Sequence, residues 1–438
     1  MVLGLPFPLL VLLLLPLLFP ASRALAANKG KGTVWGLLPV ILFALALLFV
    51  LIFPGGCGSC RTLPREGLLL SLALTAAFLA YLPVLPEEER RSPAPILLPV
   101  LLSLGTGVFL QEGAGRIEAG GALLSLALLL SALILGGAYP GAYLRFFPLR
   151  LGGAVLTLGA LWVVPARIPP VLLLPMLLLG VVFLLPAPFP RRTEKVLSPG
   201  FLRADQLLFV CLPPLLVFHV FRGLPEESHS HSVAAVVFGI LVGFSGLLYA
   251  KIALFVEEMA DGLTAAGTGF LLAGLLTFRP EGREGALSLA TILPLATALS
   301  GLSLSFLAQR FRTRTFQGLA GQGTAVEPLR LAFLFGAFQG MSLPIVGGFL
   351  GEWSLLQALS EDFFSLSLLS AGGIFLAFVL VLGRTRTLFS GEPVRRLSPS
   401  DQVLASEIRP AEGWALGLAS VSLLGADILV TFGLLGGR

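Results

Sequence analysis

The stretch Met341-Ser-Leu-Pro-Ile-Val-Gly-Gly-Phe-Leu-Gly-Glu-Trp-Ser-Leu-Leu-Gln-Ala-Leu359 decides how the chain is read, because it sets one carboxylate, Glu352, behind a run apolar enough to enter a bilayer. An ionised carboxylate at that depth costs roughly 2.5–3.5 kcal/mol even on the lenient insertion scale. A residue kept at that cost serves protons, ions or a partner. Pro344 and the pair Gly347-Gly348 precede it, and helix breakers in a bilayer are tolerated only where protein or water satisfies the freed backbone.

Composition carries the same message through the whole chain. Its 438 residues are 56% hydrophobic and 12% charged, and the mean hydropathy of +0.94 exceeds what packing in water hides at this length. The expected fold class is an all-α integral membrane protein. Apolar windows of spanning length fall at 3–20, 35–54, 67–84, 95–112, 120–138, 150–165, 170–186, 206–222, 233–256, 262–277, 286–308, 330–350, 364–383 and 414–435, about 14 transmembrane helices. No soluble domain separates from them, so residues 1–438 are read as a single polytopic membrane domain. Residues 1–27 have the outline of a signal peptide, but their apolar run is longer than a usual signal core, and they are taken as the first span.

Cytoplasmic loops collect Lys and Arg. With the N-terminus outside, the inner loops hold twenty of the 29 basic residues: Arg23, Lys29, Lys31, Arg90, Arg91, Arg145, Arg150, Arg191, Arg192, Lys195, Arg203, Arg310, Arg312, Arg314, Arg330, Arg384, Arg386, Arg395, Arg396 and Arg409. The net charge of +5 then describes inner-face loops, among them the linker 384–413, and not a nucleic-acid surface. The location implied is a cell inner (cytoplasmic) membrane.

A second interrupted span lies at 206–222, broken by Pro213-Pro214, to set beside the one at 330–350. Paired broken helices point to inverted-repeat transporters with polar sites at mid-depth, and simple packing kinks are the other reading. Lys251, Glu258 and Asp261 follow at spacings of seven and three, which places them on one face if the helix continues; a solvated helix end is the alternative. Asp427 in Leu424-Gly-Ala-Asp-Ile-Leu429 either faces a neighbouring subunit or is a snorkelling or neutral carboxyl. Cys57 and Cys60 are an incidental pair or one local disulfide, with a redox or metal role as the other reading, and Cys211 is a packing residue. His229 and His231 supply two imidazoles in a short loop and His219 a third upstream, which does not make a metal site. No flavin, iron–sulfur, haem or nucleotide motif occurs, so no cofactor and no catalytic centre is expected in the chain itself.

Thr315-Phe-Gln-Gly-Leu-Ala-Gly321, followed by a helix and then by Met341 to Gln357, resembles the antiporter-like proton-translocating membrane subunits of respiratory complex I, Mrp-type cation/proton antiporters and energy-converting hydrogenases. The Glu-Trp-Ser-Leu-Leu-Gln ending is most similar to the hydrogenase branch and to complex I subunits with Glu at this place. Two weaker patches, Phe218-His-Val-Phe221 with Ser230 to Gly239, and Ala253 to Phe270, are similar to the family's broken-helix region and to a segment between two of its spans.

The resemblance implies an antiporter-like fold of two inverted repeats and a membrane-embedded chain of titratable groups ending at Glu352. It assigns Glu118, at the mouth of the fifth span, as counterpart of the family's paired Glu, with a helix-start carboxylate as the other reading. His219 matches the family's His, and Glu257 or Glu258 stands where its loop Lys is expected. The family's lysines fall on Leu212 and near Gly243, and its later His near Leu293, so the relay looks depleted. Three functions follow: a membrane-arm subunit of a proton- or cation-translocating redox complex; a transport-inactive structural or coupling subunit of such a complex; or a stand-alone secondary transporter. The first two imply hydrophobic membrane subunits and peripheral redox subunits as partners, within the lipid bilayer.

Overall fold

A computed structural model describes residues 38–52, 65–81, 232–277, 279–340, 347–390 and 407–431, with a few isolated positions elsewhere. Among the described residues regular structure is helical, apart from one antiparallel bridge between Phe255 and Thr315. A helix satisfies its backbone within one segment, as a hydrocarbon surrounding requires. Four described helices are long and apolar enough to cross a membrane: Val233–Ile252, Pro280–Phe311, Phe364–Phe389 and Pro410–Thr431.

The chain divides into two compact units, residues 1–184 with 193–229, and residues 185–192 with 230–438. In the first, α1 (Leu38–Ile52) packs on α2 (Arg65–Tyr81), whose residues from Leu68 onward are almost all buried. The interrupted span at 206–222, like the spans between 95 and 186, lies outside the described residues.

The second unit is built round α5 (Pro280–Phe311), a helix of 32 residues and therefore about 48 Å long. Pro280 starts it where a missing N–H is harmless. Arg312, in the left-handed region at φ 51°, ends it. Its apolar stretch is buried throughout. α4 (Val256–Leu275), α7 (Glu327–Gly340), α8 (Gly347–Asp362) and α10 (Pro410–Thr431) pack on it.

Close approach to α5 and within its neighbours depends on glycine. A Cβ on Gly285 of α5 would fall 2.3 Å from the Gly351 carbonyl of α8. Where α4 meets α3 (Ser232–Ile252), a Cβ on Gly269 would fall 2.3 Å from the Gly243 amide. Small residues at contacts let membrane helices pack backbone to backbone, which is how such helices gain attraction when lipid is as apolar as Leu.

Two boundaries differ from the windows read in the sequence. The window 233–256 continues past Ile252 on hydropathy alone, but the helix stops there. Phe255 is extended (φ −107°, ψ 146°) and caps α4, while the Glu258 carboxylate accepts the Leu254 and Phe255 N–H groups at 3.1 and 3.3 Å. Lys251 therefore belongs to a different helix from Glu258 and Asp261, and the continuing-helix face is not formed. The window 330–350 is two helices, α7 ending at Gly340 and α8 beginning at Gly347. Residues 350–362, left between spans by hydropathy, continue α8 because Leu355, Leu356, Gln357, Ala358 and Leu359 are strong helix formers after the glycine pair. Both helices run antiparallel to α5: Gly336 lies against Ala296 and Ser300, Gly351 against Gly285 and Ser288.

Basic residues gather at one end of this bundle. Arg384 of α9 (Phe364–Phe389) donates to the carbonyls of Lys251 and Ala253 and lies 4.2 Å over the Phe316 ring, at the start of the short α6 (Phe316–Leu319). Arg310 and Arg409 stand at the same end of α5 and α10. At the opposite end, Arg279 pairs with Asp362 and Glu361. Its guanidinium holds the Asp362 carboxyl below the usual carboxylate range, through a side-chain hydrogen bond first, and the Arg279 guanidinium is itself raised, through the same bond first.

Two outcomes follow. Gly269→Leu forces α3 and α4 apart and lowers the melting temperature in detergent, at a cost of about 1–3 kcal/mol or more. Because the Asp362 carboxyl is lowered in the folded state, its contribution is complete above the ordinary Asp value and fades as pH falls through the lowered one. Asp362→Asn should abolish that acid-side component in melting curves and leave the neutral-pH slope unchanged.

Candidate functional site

Glu352 is 5% exposed, in the second turn of α8. Its place is fixed by the residue before it: Gly351 approaches α5 so closely that a Cβ there would lie 3.0 Å from both the Gly285 carbonyl and Ser288 Cβ. Glu352 thus sits at the Ser288 level of α5. Phe349 and Trp353 flank it, ring centroids 6.0 Å apart, with Trp353 on the exposed side.

Two further buried carboxylates lie on α4. Glu258 is committed to capping the two backbone N–H groups described above. Asp261 is 2% exposed, one turn on. Thr264, a further turn along, donates to the Ala260 carbonyl at 2.8 Å and meets Thr297 of α5 hydroxyl to hydroxyl at 3.2 Å. α4 and α5 are antiparallel, so Asp261 falls beside the next turn of α5, near Ser300. The Asp261 and Glu352 levels are then about twelve residues apart on α5, roughly 18 Å at 1.5 Å per residue.

From the Glu352 level to one turn past the Asp261 level α5 carries hydroxyls. Ser288, Thr291, Ser300 and Ser303 each donate to a carbonyl one turn back, at 2.9, 2.9, 2.8 and 2.7 Å. Their protons are committed and their lone pairs remain able to accept. Gln339 of α7, 0% exposed, adds a carboxamide next to Gly340, whose Cβ position lies 3.2 Å from Ala296 Cβ. Neither polar atom of that amide meets a hydrogen-bond partner among the described residues.

The structure does not unite all the residues singled out in the sequence. Lys251 is exposed at the end of α3. Asp427 is half-buried in α10. The Glu257 side chain, Glu118, His219, Leu212 and the Cys57–Cys60 segment lie outside the described residues. Two positions matched to titratable family residues are packing contacts: Gly243 lies against the Phe270 ring and Leu293 against Gly267.

Sequence reasoning missed Glu412, which forms a buried ion pair with Arg310 across α5 and α10 (side chains 8% and 7% exposed) and accepts the Arg409 amide at 3.2 Å. Its place in the first turn of α10, where negative charge is favoured, was the available signal. It also missed Gln339, which carries no charge and so stands out only by its burial.

An all-helical bundle with a long enclosed helix, an interrupted antiparallel pair along it and a buried carboxylate after the interruption is a fold that this chain shares with membrane-subunit chains of respiratory and Mrp complexes. Solved structures with this fold include a chain of respiratory complex I from Thermus thermophilus with bound NADH (TM-score 0.65, 18% identity, 98% of this chain and 100% of that one). Another is the Mrp complex from Dietzia sp. (TM-score 0.70, 15% identity, 98% and 96%). The membrane-bound sulfane sulfur reductase, an archaeal respiratory membrane complex, also shares it (TM-score 0.68, 14% identity, 94% and 74%). In sequence, NADH-quinone oxidoreductase subunit M of Buchnera aphidicola subsp. Acyrthosiphon pisum is 24% identical over 202 residues, 45% of this chain and 39% of the relative's own length. No protein-family model matches the sequence.

The buried pair at the α5–α10 junction gives a direct test. Removing Arg310 alone strands the Glu412 carboxylate in the interior and costs about 3–5 kcal/mol. The double change Arg310→Met, Glu412→Leu should melt well above either single variant.

Proposed function

We propose that this chain is a membrane-arm antiporter-like subunit of a multisubunit complex that couples redox chemistry to proton or cation translocation, with Glu352 its exchanging carboxylate. One observation carries the reading: a carboxylate 5% exposed, in the second half of an interrupted helix pair, within an antiporter-like bundle. A carboxyl kept inside an apolar helix bundle is costly and marks a functional group, here read as one that exchanges protons or ions. Asp261 is the counterpart toward the basic end of α5.

The finer architecture belongs to the same proposal. The chain is read as one membrane domain of about 14 spans in two inverted repeats, the interruptions at 206–222 and between α7 and α8 being equivalent, in a cell inner membrane. Electron transfer would take place in peripheral redox subunits, and other hydrophobic subunits would flank this one. The outward residues of α9 and α10, among them Leu368, Phe375, Val379, Val421 and Ile428, are exposed and apolar as lipid or such a neighbour requires.

A second reading, a coupling or scaffold subunit without transport, draws on the packing of Gly243 and Leu293 where the family places titratable groups. Ion uptake by the assembled complex in liposomes separates the two. Under the first reading Glu352→Gln lowers uptake per redox turnover by about 10²-fold, the scale of a lost proton-transfer group, with assembly intact. Unchanged stoichiometry would give the scaffold reading.

A further inference from the structure

We propose that the buried carboxamide of Gln339 holds internal water and that this water joins the Thr264–Thr297 contact to the Glu352 level of α5. The proposal rests on the reading of Glu352 as the exchanging group. It starts from an unusual residue: Gln339 is 0% exposed and neither its Oε1 nor its Nε2 has a partner among the described residues. A buried amide left dry forfeits its hydrogen bonds with water and gains nothing in return. Native interiors meet that demand with internal water, provided that two to four polar groups surround it.

The surroundings supply them. Gly336 and Gly340 bring this side of α7 against Ala296, Leu299 and Ser300 of α5, so Gln339, between those glycines, lies at the same level as Thr297 and Ser300. Thr297 is in contact with Thr264, and Ser300 donates its proton to the Ala296 carbonyl at 2.8 Å, leaving its lone pairs to accept. Oε1 accepts from water and Nε2 donates to it, so one amide orients water in both directions. Toward Glu352, Thr291 and Ser288 repeat the accepting hydroxyl along α5. The track from Asp261 to Glu352 is then built of neutral groups and water, with carboxyl groups only at its ends.

The test uses the assembled complex in lipid nanodiscs and liposomes. It reads hydrogen–deuterium exchange of the Glu352 carboxyl by infrared difference spectroscopy, assigned with Glu352→Gln, together with melting temperature and ion uptake. Gln339→Leu is expected to slow exchange and uptake about tenfold or more by expelling the bridging water, without raising the melting temperature. Gln339→Ser, which leaves room for an added water, is expected to retain most of both. If Gln339→Leu instead raises the melting temperature and leaves exchange at the parental rate, the amide was dry and the proposal is overturned, while the assignment of Glu352 stands. If Gln339→Leu does not assemble, Thr297→Val takes its place: slowed exchange supports the track, and unchanged exchange overturns it. Unaltered uptake by Glu352→Gln refutes the underlying reading alone, since exchange and melting still report on the water.

Discussion

A 32-residue helix enclosed by protein along its whole apolar length constrains everything beside it. Neighbours of α5 cannot be held by expulsion from water, because the alternative environment is lipid; they are held by contact at close range. That requirement explains why glycines recur where α4, α7 and α8 touch it or one another, and why Thr and Ser are the polar residues it carries. Four of its hydroxyls donate to carbonyls one turn back in the same helix and Thr297 meets Thr264 of α4, so α5 admits polarity to the centre of the bundle through neutral groups.

The same enclosure makes Glu352 chemically distinctive. Gly351, the residue before it, lies against Gly285 and Ser288 of α5, and Glu352 itself is 5% exposed. Two other buried carboxylates are held at helix starts, Glu412 by Arg310 and Glu258 by two backbone amides. Those two secure helix ends, whereas Glu352 lies within a helix and ends nothing.

Much of the fold was legible because hydropathy and helix breakers are local. The helices near 286–308 and 364–383, the division between α7 ending at Gly340 and α8 beginning at Gly347, and the membrane class all follow from residues adjacent in sequence. What was not legible depended on contacts across the bundle. Hydropathy runs smoothly through Ile252 to Val256, and contacts from outside that run, the Glu258 carboxylate on the Leu254 and Phe255 amides and the bridge to Thr315, separate Lys251 from Asp261. Glu352 was conspicuous through its charge in an apolar run. Gln339 was inconspicuous because an uncharged amide attracts notice only when its burial is known, and the Arg310–Glu412 pair joins residues 102 apart in sequence.

The antiparallel bridge between Phe255 and Thr315 joins the connection between α3 and α4 to the one between α5 and α6. The Val256 amide reaches the Arg314 carbonyl at 3.0 Å and the Phe316 amide reaches the Leu254 carbonyl at 3.1 Å, while Arg384 grips the Lys251 and Ala253 carbonyls from α9. Three chain segments are thereby tied at one knot. A tilt of α9 would act there as a lever, pulling together on the joint between α3 and α4 and on the outlet of α5, so that a force applied to the lipid-facing edge of the subunit is delivered to the helix that carries Asp261.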